Sequence, residues 1–166
     1  AECWQIALEH THTPSVIALT RQGLKLQRTE ADTVNKSRSG AYILADAADG
    51  KPAVTLVASG SEVEIAMDAR DALQADGIAA RVVSMPCMEL FAEQAPEVRA
   101  KILPKNAPII AVEAAVGQGW DRWTGATEHF VGMSTFGASA PYKQLYERFG
   151  ITAEAVAARA KQALAG

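Results

Sequence analysis

The sequence predicts an α/β fold with three layers: a mixed, mostly parallel central sheet of about five strands, one antiparallel edge hairpin, and helices on both faces. Three observations lead there. From residue 41 onward, short apolar runs alternate with stretches of helical period. Val54–Val57 and Ile109–Glu113 are nearly continuous in apolar residues, as strands covered on both sides require. A chain of 166 residues with 49% hydrophobic and 21% charged content can bury one full core and carry an extra fragment beside it.

The elements follow in order. Cys3, Ile6, Ala7 and His10 repeat at three–four spacing, so residues 1–10 read as a helix already under way. Thr13-Pro14 breaks it, and Ser15–Leu19 reads as a short strand. One helix and one strand cannot cover both faces of that strand, which makes this stretch the expected tail of a larger unit. Residues 23–40 mix charges without period and end Ser-Arg-Ser-Gly, the composition of a surface-crossing linker. Tyr42–Ala45 and Val54–Val57 flank a turn at Asp49-Gly50 and are expected to pair as a hairpin. A helix over Glu62–Ala75, a turn at Asp76-Gly77 and a strand over Arg81–Ser84 come next. Short helices over Met88–Phe91 and Pro96–Leu103 precede the strand Ile109–Glu113. A strand near His129–Val131 and helices over Tyr142–Phe149 and Ala153–Leu164 complete the pattern.

Charge and cysteine usage narrow the function. A net charge of −3 with no basic stripe argues against nucleic acid as a partner, and no apolar run reaches membrane-spanning length. Cys3 and Cys87 stand far apart without a CxxC, which suits free thiols in a reducing cytoplasm. The first residues have no signal-peptide layout.

Ser59-Gly60-Ser61 lies between a strand and a helix, where phosphate-binding loops are found. The loop lacks a GK[ST] lysine and has one glycine, and Glu62 and Glu64 already occupy the positive end of the helix dipole. A structural joint is the better reading, with Ser61 as N-cap and Glu64 three residues on completing a capping box.

Other candidates carry little alone. His10 and His12 have no third metal ligand nearby, and Cys87 at a helix start lacks an adjacent histidine or a resolving cysteine, so an inert thiol is expected. Glu113, Asp121 and His129 could form an acid–base set, although their spacing does not demand one. Trp120 and Trp123 fit packing between elements better than ligand stacking. Arg21 directly follows Ser15–Thr20, where the end of a parallel strand faces a ligand crevice and a guanidinium fork suits a phosphate. Position alone leaves phosphate binding and a surface ion pair equally open.

The segments PSVIALTRQGL (14–24), LVASGSEVEIAMDA (56–69), ARVVSMPCMELF (80–91), ILPK (102–105), IIAVEA (109–114), VGMSTFGASAP (131–141) and LYERFGITAEAVAARAKQAL, in this order, resemble the C-terminal part of bacterial transketolases. The resemblance runs over nearly the whole chain. It implies residues 1–22 as the tail of a pyrimidine-binding domain, 23–40 as a linker and 41–166 as the C-terminal domain. The parent enzyme would be a cytoplasmic homodimer of the pentose phosphate pathway, moving a two-carbon ketol unit between sugar phosphates with thiamine diphosphate and a divalent cation, Mg2+ or Ca2+. Carried over residue by residue, only Arg21 falls on an active-site role, binding the phosphate of the sugar substrate. Thr20 stands where serine is common in that motif. The residues for coenzyme, metal and catalysis would lie upstream, so no catalytic, cofactor or metal residue is expected here. The alternative is a module binding a small regulatory molecule or partner chain in a crevice around Ser59–Ser61, Glu113 and Gly117–Trp120, where the carboxylates would disfavour an anionic effector.

Overall fold

The computed structural model describes residues 1–30 and 32–166. A five-stranded sheet in the order β1-β3-β2-β4-β5 organises the chain. Its strands are β1 (Tyr42–Ala45), β2 (Val54–Ala58), β3 (Ala80–Ser84), β4 (Ile109–Val116) and β5 (Phe130–Met133). The edge strand β1 runs antiparallel to β3, and the β2–β3, β2–β4 and β4–β5 pairs are parallel. The helices are α1 (Glu2–Glu9), α2 (Glu62–Ala75), α3 (Met88–Ala92), α4 (Pro96–Ile102), α5 (Asp121–Thr124), α6 (Tyr142–Phe149) and α7 (Ala153–Ala165). Short 3-10 turns occupy Lys36–Ser39 and Thr127–His129.

Alternation along the strands sends side chains to two separate cores. Leu56, Val82, Ile110 and Val112 face α2 and α7, which meet through Ala66, Ala69, Ala157 and Ala160, residues small enough for close approach. Val57, Val83 and Ala111 point the other way, beneath Phe91, Ile102 and Trp120. Helices therefore cover both faces, as the fold class requires. Local signals end the helices where expected. Pro96 opens α4, Gly150 at φ 67° closes α6, and the Thr152 hydroxyl accepts from Ala155 N–H at 3.2 Å to start α7. Gly40 has a tighter reason to be glycine. Its φ is +77°, and a Cβ there would stand 2.3 Å from the backbone nitrogen of Phe91 and 2.4 Å from the carbonyl oxygen of Cys87.

Two expectations are corrected. The hairpin does not form, because β3 lies between β1 and β2. The Asp49-Gly50 turn exists, with Gly50 N–H donating to Ala47 O at 2.9 Å, but it sits within a loop that crosses over a strand. The loop is drawn to β3 by Arg81, whose guanidinium donates to both Asp46 carboxylate oxygens and to Gly50 O. Ser15–Leu19 is not a strand either. It runs without a ladder, Val16 95% and Leu19 75% exposed, since no strand among the described residues lies alongside to take up its backbone groups.

Candidate functional site

From β2 the chain crosses to β3 on one side, while β4 lies on the other. The carboxyl ends of β2 and β4 thus flank a topological switch point, the usual ligand crevice of an open α/β sheet. Residues from three regions meet there. Ser59 leaves the end of β2, and its hydroxyl donates to Glu113 Oε2 at 2.6 Å. Glu113 directly follows Val112, the last β4 residue paired with β2. Glu62, the first residue of α2, is only 2% exposed and within hydrogen-bonding reach of Glu113. The Ser61 hydroxyl donates to Glu62 Oε1 at 2.8 Å, and the Tyr146 hydroxyl from α6 donates to the same oxygen.

Burial, and then the neighbouring Glu62, push the Glu113 carboxyl up to about 8. In its acid form Glu113 can donate to Glu62 while accepting from the Ser59 hydroxyl. Burial likewise raises the Tyr146 phenol to about 12, with Glu62 adding to the effect. The network closes on itself and joins the start of α2, the end of β4 and α6. Its carboxylates and hydroxyls disfavour an anion in the crevice.

This geometry makes stability depend on pH in a stated direction. Glu113 ionises near 4.5 when unfolded and at about 8 when folded, so between those values the folded state holds a proton that the unfolded chain has released. Stability is then full below pH 4.5 and falls as the pH climbs to about 8. Glu113→Gln, whose amide donates to Glu62 at every pH, should flatten that fall in urea denaturation midpoints measured across the window. An unchanged slope in the variant would remove the Glu113 proton from the account.

The capping box is corrected here. Ser61 is the N-cap residue but makes no side-chain capping bond, because its hydroxyl is committed to Glu62 and lies 3.3 Å from the Tyr146 hydroxyl. Glu64 turns outward to accept from Lys25 N–H at 3.3 Å and pairs with the Lys25 ammonium at 3.3 Å. Glu113, Asp121 and His129 do not assemble either. His129 lies at the amino-terminal end of β5, beside Lys105 and Pro108 at the opposite edge of the sheet from the switch point. Cys87 opens α3 with its thiol pushed up by burial, consistent with an inert group. Trp120 is buried among core residues, and Trp123 stacks on Phe91 with ring centroids 5.0 Å apart, so both serve packing. Arg21 is exposed, and none of the ion pairs among the described residues includes it. Tyr146 escaped the sequence reading, and Glu62 was read only as a carboxylate at the helix start. Glu62 did carry a signal: with Ala66, Ala69 and Leu73 it lies on the buried stripe of its helix.

The crossover pattern and the switch-point network define a doubly wound α/β domain. A family model described as the transketolase-like TK C-terminal domain matches residues 40–152, and the chain belongs to that family. A transketolase of Rhodobacter capsulatus is 52% identical over 170 residues, covering 99% of this chain and 25% of that protein. A transketolase structure from Leishmania mexicana superposes with a TM-score of 0.89 at 42% identity, covering 99% of this chain and 23% of its own. A Pichia stipitis transketolase solved in complex with sedoheptulose 7-phosphate gives 0.87 at 36% identity, again over 99% and 23%. The chain thus spans about a quarter of the length of the relatives it matches. Among the described residues, no three His, Cys, Asp or Glu side chains gather where a metal ion could be held. No helix among them is long and apolar enough to cross a membrane.

Proposed function

We propose that this chain is the C-terminal part of a transketolase whose parent transfers a two-carbon ketol unit between sugar phosphates in the pentose phosphate pathway, as a cytoplasmic homodimer. The observation that carries this reading is colinear likeness to transketolases over 99% of the chain, one of them bound to a sugar phosphate. Residues 1–22 are assigned to the tail of the pyrimidine-binding domain, 23–40 to a linker and 41–166 to the C-terminal domain. The family match beginning at residue 40 supports the last boundary.

In this reading the chain supplies a stable flank, contacts to the remaining domains and one substrate group, Arg21. An exposed guanidinium with no ion-pair partner among the described residues is free to take a phosphate in a forked, charge-assisted pair. Such a grip on a non-reacting end of the sugar holds the reacting end in place, turning remote binding energy into orientation. The likeness to transketolases supports thiamine diphosphate with Mg2+ or Ca2+ as the cofactors of the parent enzyme.

The test uses the 166-residue polypeptide, purified and supplied with thiamine diphosphate, Mg2+, a ketose phosphate and an aldose phosphate. The expected result is no ketol transfer above background. Sustained transfer would place the reacting machinery inside this chain and overturn the reading.

A further inference from the structure

The sheet has a hollow at the edge opposite the switch point, and its charge is the reverse of the network there. It encloses about 500 Å3 between the turn before β4, α5 and the residue that leads into β5. Every lining residue falls between Lys105 and His129, inside the part of the chain that holds both cores. Its walls therefore take nothing from residues 1–22. Lys105 and Arg122 line it, and no carboxylate does. Neither cation enters an ion pair among the described residues. Asp121 and Glu128, adjacent in sequence to Arg122 and His129, are exposed and stand outside the lining.

Two polar atoms of the lining residues, Trp123 Nε1 and His129 Nδ1, are closed off from solvent without a hydrogen-bond partner among the described residues. An indole N–H can only donate, so leaving it unpaired is costly. The indole itself is fixed. Phe91 packs against it with ring centroids 5.0 Å apart, and the Arg122 guanidinium lies 4.6 Å from the centroid of its ring. The Thr124 hydroxyl donates to Ala126 O at 2.8 Å and holds the turn that follows α5. The hollow beside Arg81 lacks this imbalance, because that arginine is committed to the Asp46 carboxylate and three carbonyl oxygens.

Two unpaired cations and two unpartnered ring nitrogens suit a group of charge about −2 with three acceptor oxygens, the description of a phosphate monoester. A carboxylate offers half that charge and fewer oxygens. We propose that this hollow is a phosphate-binding site, separate from Arg21 and from the switch-point network. Lys105 and Arg122 hold the charge, and Trp123 and His129 turn their nitrogens to complete the hydrogen bonds. The volume leaves room for an organic body beside the phosphate, so free phosphate and a phosphate monoester are its two sources. The site stands whatever the role of Arg21.

The test is an NMR titration of the isotope-labelled 166-residue chain with inorganic phosphate and, separately, with glycerol phosphate, ionic strength being held constant with NaCl. Three tryptophans give three indole N–H signals, and Trp123→Phe identifies the one from Trp123. That signal is expected to shift saturably while the Trp4 signal stays in place. Lys105→Met and Arg122→Met should each weaken binding by roughly tenfold, and Arg122→Lys by less. Both side chains are exposed, so their removal leaves the fold intact, which the rest of each spectrum verifies. Arg21→Gln should leave the titration unaltered. Tighter binding of the ester assigns the remaining space to its organic part, and equal binding restricts the site to the phosphate group. Absence of saturation up to about 10 mM, or the same shift with NaCl alone, would overturn the site. So would a titration indifferent to Lys105→Met and Arg122→Met, or one abolished by Arg21→Gln.

Discussion

Arg81→Met is expected to destabilise the fold by about 3 kcal/mol, at the lower end of the cost of breaking a buried ion pair. Arg81 is only 5% exposed and joins three parts of the fold. Nε and Nη2 grip Asp46 at 2.7 and 3.1 Å, Nη2 reaches Gly50 O at 3.2 Å, and Nη1 donates to Lys101 O at 2.8 Å and Ile102 O at 3.3 Å. Methionine fills similar volume but leaves the Asp46 carboxylate without its counter-charge and three carbonyls without these donors. The Asp46 side chain is 38% exposed, so water recovers part of the loss, which sets the figure nearer 3 than 5 kcal/mol. Arg81→Lys should rescue little, because one ammonium cannot span Asp46, Gly50 and the end of α4 at once. Urea denaturation of the chain and both variants gives the comparison. A loss below about 1 kcal/mol, the scale of an exposed pair, would mean that packing alone holds the crossing loop on β3.

Arg81 also marks the boundary of what the sequence could reveal. Glu62–Ala75 and Tyr142–Phe149 are helices over the very residues that periodicity indicates, because helical spacing and caps are decided within a few neighbours. The positions of the five sheet strands were legible for the same reason, whereas Ser15–Leu19 was not a strand. Strand order was not. A turn at Asp49-Gly50 between two apolar runs looks like a hairpin, but Asp46 instead meets partners far along the chain, Arg81 on β3 35 residues on and Arg70 of α2 24 residues on. The capping box failed in the same way. Ser61 and Glu64 have the right spacing, yet Ser61 meets Tyr146 from 85 residues away and Glu64 meets Lys25 from 39 residues away. Local rules yield to such pairings wherever a distant polar group offers a better partner. Ser59 and Glu113 could be suspected because both follow apolar strand runs, and strand ends gather at one edge of a parallel sheet. Tyr146 could not, since nothing in its own helix announces that it reaches α2.

In the full-length parent enzyme, Arg21→Gln is expected to raise KM for phosphorylated sugars by roughly 10- to 100-fold while changing the unphosphorylated donor little, the scale of losing charge-assisted hydrogen bonds to one phosphate. Glutamine retains a donor and much of the length, so the substitution removes charge and fork with small steric consequence. Folding should be undisturbed, because Arg21 is exposed and takes part in none of the ion pairs among the described residues. Whether the change appears in KM or in kcat identifies what the grip does. Binding equally strong in the ground and transition states appears in KM alone, whereas binding realised only as the reaction proceeds lowers kcat as well. Thr20, Arg21 and Gln22 lie outside helix and strand in this chain, so their place depends on the surrounding protein as much as on their own residues. Steady-state kinetics with the two donor types therefore separates a phosphate grip, which loses selectivity, from a structural residue, which loses both substrates in proportion. Proportional loss would withdraw Arg21 from the substrate site and leave this chain a scaffold and interface only.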